Sequence, residues 1–443
     1  MRFALPGLLI LLLAACVHRP AETPAPAQRV AAASTVVITE TGVGAPVETV
    51  EPVEPVVPVV DDERQPSTAA ELELPPPPGT DQAALYSKRL NFHEGDPIIP
   101  VRLMEGQREV VFSPRGPMRV KVSGRIEKTV QAPAGSVWRA RVTQGEPAKL
   151  ASRVQLAEFR FVDREGLSAA QHAWEARGIP VEVHTLGSVY GIAGKVIDNR
   201  SNLLLLAGRF TPKQAAARQN ELLRQHGART SIFEELRAPS SGIVELFDAT
   251  GAVIAVGQDR LDAETLDGAP IQVRQVEYGV GYDFHSFEDR TFRGAIRFTI
   301  DRQGLLAVVN LVKIEDLLRG LVPSEIFARA HEEALKAQAV TARGEVLAKV
   351  GTRHLADPYL LCSEQHCAVY KGLSGEVAST NAAVEETHGE ALFSKDGRLV
   401  DSVYSAVCGG HTEDNDVVWG GVPNPSLRGK PELILPRGTE PTP

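Results

Sequence analysis

The stretch from residue 17 to residue 82 contains no Phe, Trp, Tyr or Lys, and this absence limits how much of the chain can fold. Acidic residues and prolines alternate through the stretch, which ends in the four prolines of residues 75–78. Such a segment cannot bury enough apolar surface to offset the conformational entropy that is lost on ordering. We therefore expect residues 17–83 to form an extended, solvated tether, and the folded body to begin near Tyr86.

The first sixteen residues have the pattern of an export signal. Arg2 supplies a positive charge, residues 5–13 are apolar but too short to span a membrane, and Cys16 follows two alanines. The pattern resembles a bacterial lipobox, in which Cys16 becomes the lipidated first residue of the mature protein. An ordinary signal peptide is the alternative. A lipid anchor would hold the protein on the periplasmic face of the envelope. The absence of an acid at Val17 favours the outer membrane.

Size and charge restrict the class of protein. The chain has 443 residues and a net charge of −9, which allows two or more packed domains. Nucleic-acid binding would need a basic face, so we expect no nucleic-acid partner. The sequence also lacks the glycine-rich phosphate loops of nucleotide-binding proteins.

The pattern of apolar residues predicts an α+β fold that is rich in strands. Short strand-like runs, broken by Gly and Pro, occupy residues 84–154 and resume after residue 239. Between them, residues 155–238 read as a ferredoxin-like βαββαβ unit with a hairpin inserted after its second strand. Pro212 and Gly227 mark the start and the end of its second helix.

The run at residues 207–215, with Leu222 and Gly227 after it, resembles the SPOR domain. That family binds glycan strands stripped of their peptides, so the resemblance implies glycan binding by residues 155–238. A purely structural α+β insert is the alternative.

One carboxylate, Glu325, stands at a sharp junction in the chain. An apolar run stops at Pro323 and Ser324, and apolar residues then recur at three- and four-residue spacing up to Val346. The pattern predicts a long central helix that begins just after Glu325, with Ser324 capping its first turn. Locally, an interaction with the helix dipole is enough to explain an acid at this place.

A dozen short motifs between residues 292 and 421 occur in an order that resembles the SpoIID/LytB family of peptidoglycan-degrading enzymes. They include residues 321–325, residues 335–343, the cysteine-containing residues 362–370 and the glycine pair at residues 409–410. The resemblance implies a SpoIID catalytic-type domain at residues 239–430, with residues 84–154 as its N-terminal β-rich part. Residues 431–443 are expected to form a flexible tail.

The resemblance implies lytic transglycosylation of denuded glycan strands, with Glu325 at the family's catalytic position. One carboxylic acid suits that reaction. It protonates the oxygen that leaves between N-acetylmuramic acid and N-acetylglucosamine, and then accepts a proton from the sugar's 6-hydroxyl as a 1,6-anhydro ring closes. A non-catalytic glycan-binding or amidase-activating role, with a cell-wall amidase as partner, is an alternative. A hydrolase that produces reducing ends is another.

The predicted position of Glu325 creates a conflict. A helix N-terminus lowers the pKa of a nearby carboxyl group, whereas a general acid needs a raised pKa. We therefore expect apolar cover that compensates by desolvation. The residues expected to provide it are Leu321, Val322, Ile326 and Phe327.

The same motifs supply candidate substrate-binding residues. Lys336 and Arg343 lie two turns apart on the predicted helix and share a face, so they are placed to hold sugar hydroxyls or to orient Glu325. A solvated or structural helix face is the alternative. The resemblance adds Gln338 on the same helix and a turn whose backbone amides can approach a sugar closely. The residues of that turn are Ser405, Gly409, Gly410, Thr412 and Glu413.

Cys362, His366 and Cys367 lie within six residues and carry the thiolate and imidazole groups that Zn²⁺ prefers. The resemblance implies a structural zinc site here. His354 is the candidate for the fourth ligand, and Cys408 is a further candidate. A Cys362–Cys367 disulfide is the alternative, since the envelope is oxidising. No cofactor is expected to take part in the chemistry.

Overall fold

The computed structural model describes residues 34–36, 81–122, 127–130, 133, 135–192, 195–395, 397–405, 407–418 and 423–431. The predicted signal peptide with Cys16, nearly all of the predicted tether and the predicted tail after residue 431 lie outside the described residues. Within the described ranges, no helix is long and apolar enough to cross a membrane.

Strands dominate the described residues, which form the β-rich α+β fold that the sequence predicts. The strands are β1 (Ser34–Val36), β2 (Asn91–His93), β3 (Asp96–Gln107), β4 (Glu109–Pro114), β5 (Met118–Val122), β6 (Glu127–Val130), β7 (Trp138–Glu146), β8 (Lys149–Arg160), β9 (Val181–Leu186), β10 (Val189–Ile192), β11 (Lys195–Asp198), β12 (Ser201–Leu206), β13 (Ser231–Ala238), β14 (Ser241–Phe247), β15 (Val253–Gln258), β16 (Arg260–Thr265), β17 (Ile271–Tyr278), β18 (Ser286–Phe292), β19 (Ala295–Ile300), β20 (Leu306–Lys313), β21 (Leu361–Cys362) and β22 (Ala391–Phe393). The helices are α1 (Asp81–Tyr86), α2 (Arg164–Glu175), α3 (Pro212–His226), α4 (Ile314–Glu325), α5 (Glu332–Ala348), α6 (Ala378–Glu386) and α7 (Asn415–Val418), with a 3-10 turn at Gly372–Gly375.

Two large sheets are built from strands on both sides of the βαββαβ unit. One runs β15-β14-β7-β4-β17-β18 and the other β2-β3-β20-β19-β16-β5-β6, with β21 added parallel to β3. Burial alternates along β14, as expected for a strand with one face on a core. A single hydrophobic core joins both sheets with α4 and α5, and the Phe112 and Phe298 rings meet in it with centroids 4.8 Å apart.

The backbone of β1 pairs antiparallel with β22. These residues belong to the predicted tether, for which we expected no pairing.

Glu325 is the last residue of a helix, so the prediction of a helix that begins after it is wrong. Pro323 lies inside α4, and α5 begins at Glu332, where the His331 side chain accepts a hydrogen bond from the backbone of Glu333. An interior proline costs about 3 kcal/mol. Each fully buried Leu or Val side chain contributes about 1.5–3 kcal/mol, and α4 has four of them, so burial outweighs the proline. They are Leu317, Leu318, Leu321 and Val322.

The apolar spacing predicted for the second helix is confirmed. Leu335, Ala339, Ala342 and Val346 are all buried on α5. The predicted helix therefore begins at Glu332 instead of just after Glu325, and residues 326–331 separate it from α4, a helix that was not predicted.

The βαββαβ unit has the predicted order of elements. Its sheet runs β13-β8-β12-β9 with every pair antiparallel, and the β10–β11 hairpin lies between β9 and β12 in sequence. Thr211 forms a capping box at the start of α3, and Gly227 ends it with a φ of 65°. Helices α2 and α3 cover one face of the sheet around Trp174 and Leu204. Its relation to the SPOR domain stays a prediction.

The opposite face of this small sheet is also covered. Leu203, Leu205 and Phe233 on that face pack against Leu355, which follows α5. The unit is therefore fixed to the part of the chain that carries the candidate site.

The inserted hairpin makes a second set of contacts with the end of α5. The Tyr190 hydroxyl donates to the carbonyl of Leu347 at 2.6 Å. The Asn199 amide donates to the carbonyls of Ala348 and Val350 at 3.2 and 2.6 Å. These side chains add hydrogen bonds to carbonyl groups at the end of the helix, where Leu347 also accepts from the backbone N–H of Val350.

Candidate functional site

Glu325 is partly buried at the C-terminal end of α4. Its Oε1 accepts a hydrogen bond from the backbone N–H of Val369 at 3.2 Å. The cover predicted for it is only partly present. Leu321 and Val322 are buried in the core, and Ile326 packs partly against it, but the Phe327 side chain is 87% exposed.

The surroundings of Glu325 favour its protonated form. Burial raises the pKa of Glu325, and the charge of Glu345 raises it further, while the Val369 amide and Lys349 act in the opposite direction. The C-terminal end of α4 carries partial negative charge, which also raises the pKa of Glu325. The conflict expected at a helix N-terminus therefore does not arise, and the carboxyl group suits a general acid.

A second acid, Glu345, lies near Glu325 and was not singled out from the sequence. Its Oε1 lies 2.5 Å from the ammonium group of Lys349. The same ammonium group donates to the backbone carbonyl of Cys367 at 2.5 Å. The i, i+4 spacing of Glu345 and Lys349 is readable in the sequence, but their burial beside another helix is not.

The segment after β22 adds Asp401 and Tyr404 to the same group. Burial raises the pKa of Tyr404, as do the charges of Glu345 and Glu325, and its hydroxyl interacts with the Glu345 carboxylate. Burial also raises the pKa of Asp401, where Lys349 opposes the shift and Glu345 reinforces it. The site thus draws residues from α4, α5 and residues 401–404.

Arg343 supports the helices, and its predicted role as a substrate contact needs correction. The residue is 2% exposed, and its guanidinium makes two hydrogen bonds to the Glu315 carboxylate, at 2.8 and 2.7 Å. It also donates to the carbonyl of Glu390 at 2.9 Å. Its donors are engaged inside the protein, where they tie α5 to α4 and to the residues after α6.

The Lys336 side chain faces α6. Its ammonium group lies 2.7 Å from both Glu332 and Glu386 and 3.2 Å from Glu333. Lys336 and Arg343 do share a face, and that face is turned toward α6. Gln338 differs, since its Nε2 is buried and has no hydrogen-bond partner among the described residues. Substrate contacts of Lys336 and Gln338 stay predictions.

The predicted glycine turn is open to solvent. Ser405, Gly409, Gly410 and Glu413 are exposed, and the two glycines have φ values of 68° and 94°, which favour glycine. The Thr412 hydroxyl is engaged with the backbone of Lys430, from which it accepts at 3.0 Å and to which it donates at 3.2 Å. Substrate contacts of this turn stay a prediction.

The candidate metal ligands converge. One ligand atom each from His354, Cys362, His366 and Cys367 lies within 4.8 Å of every other. His354 Nε2 is 3.2 Å from Cys367 Sγ, and His366 Nδ1 is 3.7 and 3.5 Å from the two sulfur atoms. Both cysteines are free thiols, and the exposed Cys408 is not part of the cluster. Two sulfur and two imidazole ligands around one centre fit tetrahedral Zn²⁺.

Residues around the cluster orient one of the imidazoles. Asp357 lies 3.0 Å from His354 Nδ1, and Arg302 holds Asp357 with two contacts of 2.9 and 3.0 Å. A carboxylate on one ring nitrogen directs the other nitrogen toward a metal. His354 and His366 also line an open cavity of about 340 Å³.

The segment that carries the cysteines also holds Glu325. Cys367 accepts from Lys349 through its carbonyl, and two residues later Val369 donates to Glu325. The next residue, Tyr370, donates from its hydroxyl to the buried Asn310 at 2.9 Å. The metal-ligand cluster and the Glu325 site are therefore parts of one connected region.

Known proteins resemble parts of the chain. A family model for the stage II sporulation protein SpoIID matches residues 302–393, which include Glu325, Glu345 and all four candidate metal ligands. An uncharacterized protein of Brachyspira hyodysenteriae is 33% identical over 129 residues, or 29% of this chain and 34% of that protein. The amidase enhancer of Bacillus subtilis is 38% identical over 102 residues, or 23% of this chain and 13% of that protein. The chain thus spans a minor part of either relative. No solved structure matches it.

Proposed function

The chain belongs to the SpoIID family through residues 302–393, and on that premise we propose that it is a lytic transglycosylase of peptidoglycan. Family membership gives it a cell-wall-related function. The observation that supports lytic transglycosylase activity is the state of Glu325. It is a partly buried carboxyl group whose pKa is raised by burial and by a neighbouring acid. A carboxyl group in that state holds a proton at the pH where an ordinary glutamate has lost it.

The proposed reaction uses Glu325 twice. The carboxylic acid gives its proton to the oxygen that leaves as the bond between N-acetylmuramic acid and N-acetylglucosamine breaks. The resulting carboxylate then accepts the proton of the 6-hydroxyl on the same N-acetylmuramic acid, whose oxygen bonds to the anomeric carbon. The products are a 1,6-anhydro end and a free 4-hydroxyl, and Glu325 returns to its protonated form without water.

The burial and pairing of the nearby Glu345 favour a lyase mechanism over a hydrolase mechanism. A two-carboxylate glycosidase needs its second carboxylate open to the sugar or to an attacking water. The Glu345 side chain is 12% exposed and paired with Lys349. It is therefore poorly placed to act as the nucleophile or base of a hydrolase.

A second candidate function is favoured by one relative. The Bacillus subtilis protein is named an amidase enhancer, and that name supports the alternative in which this chain activates a cell-wall amidase. In that alternative the chain would bind glycan without cleaving it. The two candidates differ in their products, because only a lytic transglycosylase generates 1,6-anhydro ends from denuded glycan.

The test is mass spectrometry of purified, denuded glycan strands after incubation with the full chain. We expect 1,6-anhydro ends, and a loss of about 100-fold or more in their rate of formation with Glu325→Gln. Glu385→Gln, which removes a charge from an exposed acid on α6, is the matched control and should keep the wild-type rate. Reducing ends would indicate a hydrolase. Intact strands, together with stimulation of an amidase, would favour the second candidate.

We also propose that His354, Cys362, His366 and Cys367 hold a structural Zn²⁺. The convergence of the four ligand atoms and the two free thiols support this proposal. The bound ion would fix the segment that presents the Val369 amide to Glu325. It takes no part in proton transfer, for which Glu325 is sufficient.

The proposed location is the periplasmic face of the envelope, with a lipid on Cys16. A tether then lets the folded body reach glycan at a distance from the membrane. Cys16→Ala should abolish labelling by a radioactive fatty acid and release the protein from the membrane fraction. Labelling of the variant at the wild-type level would reject Cys16 as the lipidation site.

A further inference from the structure

Phe327 is an aromatic side chain that the fold leaves in solvent close to the candidate acid. It is 87% exposed, and none of the large apolar side chains among the described residues is more exposed. The other exposed phenylalanines, Phe92, Phe284 and Phe287, reach only 44–54%. A phenylalanine in water lacks the stabilisation that burial would give it. Since the ring does not cover Glu325 as the sequence predicted, its exposure calls for another explanation.

The backbone of Phe327 is held in place although its ring is in solvent. Its carbonyl accepts from the N–H of Ala330 at 2.8 Å. The Ser379 hydroxyl, on α6, donates to the carbonyl of Ala328 at 2.7 Å, and Ile326 packs against the core. A ring on a backbone that is already ordered loses little conformational freedom when it binds a ligand.

Phe327 follows Glu325 by two residues, so the two Cα atoms are at most about 7 Å apart. Ile326 between them has an extended backbone, with φ −135° and ψ 147°, and ends α4. The aromatic side chain is therefore attached next to the carboxyl group that protonates the glycosidic oxygen in the proposed reaction. A glycan strand whose cleaved bond meets Glu325 has a sugar ring within reach of Phe327.

The chemistry of an aromatic face suits the sugars of such a strand. The face of an aromatic ring carries partial negative charge. In β-1,4-linked N-acetylglucosamine and N-acetylmuramic acid the ring substituents are equatorial, so C–H groups with partial positive charge cover both faces of each pyranose. Stacking the two surfaces removes apolar area from water and leaves the hydroxyl groups at the ring edge solvated.

The residues after Phe327 favour a sugar over a protein partner at this place. A protein partner would need a contiguous apolar patch of several hundred Å². The exposed residues that follow Phe327 along the chain are instead charged or polar, namely Arg329, His331, Glu332 and Glu333. One aromatic face bordered by polar groups matches the mixed surface of a saccharide.

We propose that Phe327 is a substrate-binding residue that stacks on the sugar ring next to the bond cleaved at Glu325. This inference rests on the proposed function. It assigns recognition at this place to the face of the sugar, which is present in every strand, and not to a stem peptide.

The first test measures binding of a denuded glycan tetrasaccharide by calorimetry. The full chain carries Glu325→Gln, so that the ligand stays intact. Adding Phe327→Ala should raise Kd about tenfold, the order of magnitude of one aromatic stacking interaction. Phe327→Trp should bind like the parent, whereas Phe327→Leu, which is apolar but has no ring, should bind like Phe327→Ala.

Phe92→Ala provides the matched control for that measurement. Phe92 is an exposed phenylalanine on the edge strand β2, which lies beside the start of α4 and not beside its end. The control should keep the Kd of the parent. Because Phe327 is exposed, its variants should also keep the urea midpoint of unfolding, so that a change in Kd reports binding.

The second test uses Phe327→Trp as a direct reporter in the same Glu325→Gln chain. When the tetrasaccharide is added, emission of the introduced indole should shift to shorter wavelength and become less accessible to acrylamide. Both changes are expected because the sugar removes one face of the ring from water. Phe92→Trp should show neither change.

Cleavage by the active chain separates the two proposals. Phe327→Ala should raise KM for denuded glycan more than it lowers kcat. Absence of anhydro products from the wild type, with an affinity that still depends on the aromatic ring, would reject the lytic activity and support Phe327 as a glycan-binding residue.

Three results would overturn the role of Phe327. They are an unchanged Kd in Phe327→Ala, full binding by Phe327→Leu, and a loss of amidase stimulation in Phe327→Ala without a loss of glycan affinity. The last result would assign the ring to a protein partner. Failure of the Glu325→Gln chain itself to bind the tetrasaccharide would overturn both proposals.

Discussion

Glu325 occupies a place in the fold that works against its own ionisation. It lies at the end of α4, where unpaired carbonyl groups carry partial negative charge, and it is partly buried near Glu345. Each of these factors makes the folded protein bind a proton more tightly than the unfolded chain does. The property that suits a general acid therefore lowers stability at neutral pH.

The raised pKa of Glu325 predicts the direction in which the stability of the protein changes with pH. The pKa of Glu325 is raised in the folded state, so the wild type gains stability as the pH falls from above the raised value to below the ordinary glutamate value. Glu325→Gln lacks this gain. Urea unfolding should show the variant to be more stable than the wild type at pH 7.5, with an advantage that shrinks by pH 4. A difference that is constant over this range would contradict the raised pKa.

The pair of Arg343 and Glu315 gives a second prediction at this scale. Arg343→Met leaves the Glu315 carboxylate inside the protein without its partner, so the free energy of unfolding should fall by about 3–5 kcal/mol. The double variant Glu315→Gln/Arg343→Met should recover part of that loss, because neither charge remains. Folded Arg343→Met should keep the wild-type KM for glycan. A stable variant with a much higher KM would restore the substrate-binding role that the sequence suggested.

At the scale of elements, the segment with the cysteines joins the metal-ligand cluster to the acid. Cys362 pairs through its backbone with β3, the carbonyl of Cys367 accepts from Lys349, and the amide of Val369 donates to Glu325. A metal that closes this segment would restrict it in the folded protein and would contribute binding free energy to folding.

We expect metal analysis of the purified chain to find Zn²⁺ that depends on Cys362 and Cys367. A chelator should lower the melting temperature and speed hydrogen exchange of the Val369 amide, which points at Glu325. Cys362→Ser should lose the metal, and Cys408→Ser, at an exposed thiol outside the cluster, should keep it. Finding neither zinc nor free thiols at Cys362 and Cys367 would favour the disulfide.

The elements also indicate what the sequence can and cannot predict. Helix α3 was predicted at its observed limits because Pro212 and Gly227 mark them by local chemistry. The boundary at Pro323 was misread because a local rule for proline competed with the burial of α4, which only the tertiary fold determines. Glu345 and Tyr404 could not be assigned from one sequence, since the interactions of Glu345 with Glu325 and with Tyr404 join distant segments of the chain.

At the scale of the whole molecule, the βαββαβ unit braces the helix that carries Glu345. One face of its sheet packs on Leu355, and Tyr190 and Asn199 bind carbonyl groups at the end of α5. The predicted glycan-binding unit is therefore also a support for the candidate site. Both large sheets combine strands that come before and after it. The sequence predicted that these two parts belong to one domain, but not which of their strands pair.

The Asn199→Ala variant tests whether the inserted hairpin stabilises the end of α5. Asn199 donates to two carbonyl groups and accepts from the backbone of Ser188 at 2.7 Å, so its loss should cost about 1–3 kcal/mol in the free energy of unfolding. Hydrogen exchange should increase around residues 346–352. Gln171→Ala, which removes an exposed amide from α2, should change neither quantity. Unchanged exchange at the end of α5 in Asn199→Ala would show that the hairpin does not brace it.

The way in which the βαββαβ unit joins the large sheets has a genetic consequence. The segment that contains the unit begins after Glu146 and ends before Ser241. These two residues are paired partners on β7 and β14. Without the unit, β7 and β14 would be an ordinary hairpin that needs only a short turn. A single insertion of coding sequence into that turn is therefore enough to acquire the whole unit, and a single deletion is enough to lose it, with the pairing of the large sheets left intact.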